Sequence, residues 1–263
     1  MRRRLGNANR QTERRIQRSQ QGKAAARMAP EIRKAIKAQA EDAARGFLSG
    51  DESGATAAIE GGRLLGVVRP AVEGVATNEG KRILESAKTS RRGIITKATE
   101  EEQQALTDAV RAFIASNIGQ KITQVNATTV AAVSRQIRIG REKGETPEEI
   151  AARVRKSVKG SSAYRAQMIA RTESHQAAQF GMIAGARKSE TAMQKEWIAA
   201  MDERTRGTSS SDRYDHIAAD GETVGLEEMF RRTGEALDRP GDTSGSAGNV
   251  IHCRCGTGFI TQD

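Results

Sequence analysis

Cysteine is almost absent: the chain has two, Cys253 and Cys255, with one residue between them. That spacing is poor geometry for an unstrained disulfide, so a disulfide-stapled fold is excluded and the thiols fit a reducing compartment. Aromatic residues make up only 3% of the chain, too few for a broad β-sandwich core. Ala, Gly, Gln, Arg and Glu are plentiful instead and suit helices that touch through small residues. Long apolar runs are missing as well. No segment approaches the roughly 18 residues a membrane helix needs, and the Arg-rich start lacks the apolar centre of a signal peptide. The expectation is synthesis in a cytoplasm with no membrane partner.

What is present is uneven charge. Residues 1–160 hold 31 basic and 18 acidic side chains and residues 161–263 hold 12 and 15, net +13 and −3. So basic a first half favours an acidic partner. Double-stranded DNA, bound without sequence preference, is the commonest such partner, because Lys and Arg displace condensed counterions from phosphates; the alternative is a solvated helical surface. Residues 1–28 form a basic arm whose only aliphatic residues beyond Ala are Leu5 and Ile16, too few to bury a face. Arg2, Arg3, Arg4, Arg10, Arg14, Arg15 and Arg18 are its candidate DNA contacts. The arm orders on DNA, orders on a protein surface, or stays a disordered tail.

Helical spacing dominates residues 29–160. Pro30 opens a pattern that places Ile32, Ile36, Ala40, Ala43 and Phe47 on one stripe, and glycines at 50 and 54 end it. Residues 56–89 carry aliphatics interrupted by glycines and read equally as short helices or extended segments. Thr99 with Glu102 is a capping box for a helix through Leu106, Val110, Phe113 and Ile114. A further helix runs through Val130, Val133 and Ile137 to stop near Gly140. Thr146-Pro147-Glu148-Glu149 starts another through Ile150, Val154 and Val158, and Ala163 to Lys188 is one more, with His175 among its spaced positions. After Glu190 turn residues multiply. Lys195–Ala200 and Ile251–Ile260 are candidate strands and Leu226–Arg232 a short helix. The fold expected is α+β, mostly α: a long helical N-terminal region followed by a small α+β C-terminal domain at 161–263. A cut before Thr146 should leave a foldable fragment.

Chemistry-bearing residues collect in the last third. Arg171-Thr172-Glu173 combines the residue types of phosphate chemistry, yet no companion nucleophile or base motif accompanies it. A polar network joining its helix to the C-terminal domain is the reading preferred, with Glu173 facing an Arg such as Arg204. His216, His252, Cys253 and Cys255, with Asp202 or Asp215 nearby, are ligand types for a Zn²⁺ site. A single C-x-C lacks the second Cys pair of a zinc ribbon, so a metal-free polar core stands beside the zinc reading. Cys253 and Cys255, two apart, share one face of an extended strand, which leaves His252 outside the site and turns Arg254 toward a carboxylate such as Asp202. Trp197, the only Trp, reads as core. The Gly241–Gly248 stretch lacks the strand–helix context of a phosphate loop.

Residues 169–181, I-A-R-T-E-S-H-Q-A-A-Q-F-G, resemble the hallmark helix of the phage Mu protein F-like, or head-morphogenesis, family. Further elements follow in the family's order: Trp197, D-E-R-T-R from Asp202 through Arg204 to Arg206, His216, Asp220-Gly221, Pro240 to Asp242, Asn249, and C-R-C with Arg254 at its centre. Two departures stand out: the family usually has Asn where this chain has His252, and the segment between Arg206 and His216 is longer than in many members. The resemblance implies a non-enzymatic structural protein of a tailed phage, a minor capsid protein in multiple copies inside the head or at the portal vertex. Its implied partners are the portal protein and the major capsid protein, with packaged DNA touched non-specifically. The rivals are an ADP-ribosyltransferase-like effector, disfavoured because only eight residues follow C-R-C and leave no room for a toxin module, and a zinc-dependent nucleic-acid-binding protein.

Overall fold

The computed structural model describes residues 3–4, 9–60, 62–90 and 97–261. Four long helices lead the chain: α1 (Arg10–Glu60), α2 (Arg63–Ser90), α3 (Glu100–Glu142) and α4 (Pro147–Lys188). Strands β1 (Arg3–Arg4), β2 (Met193–Ile198), β3 (Thr223–Gly225) and β4 (Gly256–Thr261), with the one-turn helix α5 (Ala247–Val250), complete it. β2, β3 and β4 make a small antiparallel C-terminal sheet to which β1 adds an edge, in the order β1-β4-β2-β3. The protein is therefore mostly α with a small β component.

Local chemistry explains where the helices begin. At α3 the Thr99 N–H donates to Glu102 at 2.8 Å and the Glu102 N–H to Thr99 Oγ1 at 3.2 Å. The same reciprocal box closes α4 through Thr146 and Glu149 at 2.8 and 3.3 Å, satisfying amides that have no partner within a helix. Asn9 caps α1 by accepting from the Thr12 N–H at 2.8 Å.

Several expectations are corrected. Pro30 lies inside α1; the lost N–H bond is tolerated because Ala25 and Met28 before it and Ile32 after it are all buried. Residues 10–28 of the expected arm are helical, and Glu13 and Gln17 are buried among them. Of the ambiguous stretch at 56–89, residues 56–60 and 63–89 are helical, and Gly62 is a bend between α1 and α2. The helices expected separately around Phe113 and Val130 are one, α3, and those on either side of Ala163 are one, α4, since Gly119 and Gly160 weaken a helix without stopping it. Leu226–Arg232 is not a helix: it is turn backbone leading into an antiparallel bridge from Phe230 to Leu237. β4 begins at Gly256, so C-R-C precedes the strand rather than lying in it.

Contacts divide the chain into two compact units rather than at residues 28 and 160. One, here the helical unit, comprises Ala25–Ala71 and Ile114–Ala170; the other, the mixed unit, comprises Met1–Ala24, Val72–Phe113 and Arg171–Asp263. Every long helix contributes to both, which a linear division cannot express.

Within the helical unit α1 breaks at Gly50 and Asp51, where φ is −148° and 56°. The two arms fold back closely: a Cβ on Gly46 or Gly54 would overlap the other's carbonyl, and Gln39 Nε2 donates to the Ile59 carbonyl at 3.0 Å. Only glycine permits that approach. The interior is aliphatic, with Ile32, Ile36, Ile59, Val68, Val133, Ile137 and Val154 all buried.

In the mixed unit α2 and α4 cross through small residues. Gly181 rests on the Ala76 carbonyl and Gly185 on that of Gly80. Next to this crossing Ile83 and Ala87 of α2 pack with Met182, Ile183 and Ala186 of α4, Met193 of β2 and Phe259 of β4. A fragment starting at Thr146 would lack Ile83 and Ala87, so its core would be open.

Candidate functional site

Residues 172–179 of α4, T-E-S-H-Q-A-A-Q, are all buried although six of the eight are polar. Buried polar atoms need partners, and much of the family-like chemistry in the mixed unit supplies them. Gln179 Nε2 donates to Gln17 Oε1 at 3.2 Å and Gln179 Oε1 accepts from Thr257 Oγ1 at 2.8 Å. Gln17 Nε2 in turn donates to the Thr257 carbonyl at 2.8 Å and to Glu13. The first turns of α1, the hallmark segment of α4 and β4 are thus one hydrogen-bonded layer. Arg171 itself is exposed.

The D-E-R-T-R turn is built around Asp202. Its carboxylate accepts the Arg204 N–H at 3.1 Å and Thr205 Oγ1 at 3.1 Å, and Arg254 binds both its oxygens, Nε at 3.0 Å from Oδ2. The Arg254 guanidinium, aided by these bonds, holds the Asp202 carboxyl down at about 2 against the opposing effect of burial. Arg254 has the partner expected for it. Glu173 is buried while Arg204 is exposed and meets Asp202 through its backbone.

Asp220 is the second socket. It accepts the Ala199 N–H at 2.8 Å, Arg14 at 3.2 Å and Arg10 at 3.1 Å. Gly221 beside it has φ +81°, and a Cβ there would lie 2.6 Å from the Arg10 guanidinium. Arg18 reaches Asp202 at 3.2 Å, and Arg14 Nε donates to the Ala199 carbonyl at 2.6 Å. Three of the arginines expected to contact DNA, Arg10, Arg14 and Arg18, are therefore engaged by carboxylates of the same unit. Arg15 is exposed; Arg2 lies outside the described residues, and of Arg3 and Arg4 only the backbone is described.

A third cluster leaves no sign in the sequence. Lys195, with no exposed surface, donates to the Asp238 carbonyl at 2.8 Å and to its carboxylate. Arg187 at 3.0 Å and Arg239 at 3.2 Å pair with the same carboxylate. Arg239 also lies over the stacked rings of Phe113 and Phe180. Burial alone would raise the Asp238 pKa, but Lys195, Arg187 and Arg239 keep it below the ordinary value. A lysine between Gln194 and Glu196 reads as part of a polar run and does not announce that it points inward.

The sequence-predicted ligands come together. The ligand atoms of His216, Cys253 and Cys255 all lie within 4.8 Å of one another, and all three residues are buried. His216 Nδ1 is 3.8 Å from Cys253 Sγ and 3.4 Å from Cys255 Sγ. Trp197 packs edge-on against the imidazole, with ring centroids 5.4 Å apart, and belongs to the same core cluster as both cysteines. Asp202 is committed to Arg254, and Asp215 caps the Ala218 N–H at 2.8 Å. The long segment before His216 closes on itself, Asp212 accepting the Gly207 and Ser209 N–H groups at 2.8 and 3.2 Å, and the His216 N–H returns to the Arg206 carbonyl at 3.0 Å. His252 has φ +59°. Asn and His both tolerate that left-handed conformation better than most residues, which accounts for His where the resemblance calls for Asn.

His175, in sequence one more helical position, is 2% exposed. It acts on Cys253, whose thiol is lowered well below its ordinary range by the Cys255 side chain and by His175 and His216. Cys255 is raised by burial and by the Cys253 sulfur.

Residues 131–257 match the model of a family described as Phage Mu protein F like protein. No curated protein and no solved structure matches the chain. The matched span contains the hallmark segment of α4, both aspartate sockets, Asn249 and C-R-C.

Proposed function

Because residues 131–257 match the model of the phage Mu protein F-like family, we propose that the chain is a structural head-morphogenesis protein of a tailed phage. It acts as a minor capsid component inside the head or at the portal vertex, in several copies, and not as an enzyme. The family match carries this reading. Its support in the fold is that the matched motif residues Asp202, Asp220, Asn249 and Arg254 bond to one another's segments and so build the unit. Finding the chain in purified particles at fewer copies than the major capsid protein, cross-linked to the portal or the capsid wall, is the expected result. Normal, infectious heads assembled without the chain would overturn it.

Contact with packaged DNA belongs to the same proposal. Arg27, Arg33, Lys34 and Lys37 are exposed on the solvent side of α1 within the helical unit, where side chains spaced this way share a face. Replacing the four by Glu should weaken binding to arbitrary duplexes and flatten the salt dependence by about 0.9 for each phosphate no longer neutralised. An unchanged slope would remove this face from the DNA-binding surface. Among the described residues no helix is long and apolar enough to cross a membrane.

A further inference from the structure

We propose that His175, His216, Cys253 and Cys255 together bind one divalent transition-metal ion in a closed four-coordinate site, with Zn²⁺ the ion their donor set suits. The sequence points to three of these residues and to a carboxylate; the fold replaces the carboxylate with a histidine from the hallmark helix.

The orientation of His216 is the first argument. Its Nε2 lies 2.6 Å from Asn249 Oδ1. The Asn249 amide cannot be reversed without loss, because its Nδ2 donates to Glu235 at 2.9 Å and faces Thr233 Oγ1 at 3.4 Å. His216 Nε2 must therefore carry the proton, which leaves the Nδ1 lone pair facing both sulfurs. An outer acceptor that sets the tautomer of a ligating histidine is the usual support of a metal site. The chain Glu235, Asn249, His216 supplies it.

His175 is the second. Both of its ring nitrogens are buried without a conventional hydrogen-bond partner, an arrangement that a native interior avoids. The ring is not loosely placed. A Cβ on Gly241, whose φ is +71°, would lie 2.8 Å from His175 Cδ2 and 3.0 Å from Nε2, so the loop backbone presses on it. A metal ion would give one of these nitrogens its partner.

The sulfurs are the third. Cys253 Sγ and Cys255 Sγ are free, buried thiols 3.8 and 3.4 Å from His216 Nδ1. Two thiolates and two imidazoles are borderline-soft donors whose tetrahedral arrangement selects Zn²⁺ over Mg²⁺ or Ca²⁺. With four protein ligands no position remains for water or substrate, so the ion is structural: it fastens α4 and the His216 loop to the segment entering β4. His252, held aside by its left-handed backbone, takes no part.

The test uses the full chain, made without a His tag and purified without chelator. The expected result is about one Zn per chain, with X-ray absorption counting two sulfurs at about 2.3 Å and two nitrogens at about 2.0 Å. His175→Ala should bind Zn²⁺ at least about tenfold more weakly in competition with a chelating dye and lower the tetrahedral absorption of the Co²⁺ form. His252→Ala should change neither. A folded, metal-free chain that takes up neither Zn²⁺ nor Co²⁺ overturns the site. Two sulfurs with a single imidazole nitrogen, or loss of metal in His252→Ala instead of His175→Ala, overturns the role of His175. Should His175→Ala fail to fold, the ligand count on the unaltered chain decides alone. None of these results depends on the assignment to phage heads.

Discussion

In the helical unit the interior is aliphatic and its charges pair on the surface, as Arg141 does with Asp51 at 2.6 Å and Glu52 at 3.3 Å, both partners exposed. In the mixed unit the charges are inside, with Lys195, Asp238, Arg239 and Asp242 all buried around one another. The first arrangement tolerates change, because an aliphatic core depends on volume and surface pairs contribute little. The second does not. A buried charge left without its partner bears the whole desolvation penalty, so each member of the mixed unit depends on segments far away in sequence. That dependence explains why a unit rich in family-like motifs draws on residues 1–24 and 72–113, which carry none of those motifs.

The largest expected effect follows directly. A fragment beginning at Thr146 should fail to fold cooperatively, since it lacks Ile83 and Ala87 of the core and Gln17 of the buried polar layer; circular dichroism and a thermal melt measure this. A fragment that melts as sharply as the full chain would show the mixed unit to be self-sufficient.

Next in size is Asp238→Ala. It leaves Lys195, Arg187 and Arg239 facing one another and should destabilise the full chain by about 3–5 kcal/mol in denaturant unfolding. A loss below about 1 kcal/mol would mean that water reaches the cluster and that the contrast with the helical unit is shallow.

A smaller effect is tied to pH. Arg254 lowers the Asp202 pKa from 3.8 to about 2 in the folded state, so folding favours the ionised form. The stabilisation is fully present above pH about 4 and is lost as pH falls from there through about 2. Asp202→Asn should therefore be less stable than the native chain at neutral pH, and the difference should shrink toward pH 2. A constant difference across that window would assign the loss to packing instead of charge.

The smallest effect belongs to the helical unit. Arg141→Ala removes two exposed ion pairs and should cost about 0–1 kcal/mol, less at high salt. A loss comparable with that of Asp238→Ala would erase the distinction between surface and interior pairing.

Much of this was legible in the sequence, for reasons that differ by element. The starts of α3 and α4 were readable because a capping box is complete within four residues. The aliphatic stripe from Ile32 to Phe47 was readable because a one-sided helix repeats at 3.6 residues. His216, Cys253 and Cys255 could be grouped because their ligand chemistry is rare in a chain with three His and two Cys. Leu226–Arg232 misled because a short apolar run separates helix from turn poorly. The arm misled differently: Glu13 and Gln17 have no apolar face to bury, yet Gln17 is buried on polar partners more than 150 residues away and bonds Glu13 beside it.

The sequence by itself determined the helical character, the helix starts that carry their own caps, the resemblance of residues 131–257 to the phage Mu protein F-like family and the separation of charge between the two halves, because each rests on residues close together in the chain or on composition. Only the tertiary structure decided that Arg10, Arg14 and Arg18 meet Asp220 and Asp202, that Lys195 points inward to Asp238, and that His175 is buried in the mixed unit. The physical reason is that burial of a polar group is set by where its partner arrives. That position depends on the path of segments far off in the chain and leaves no period in the local sequence.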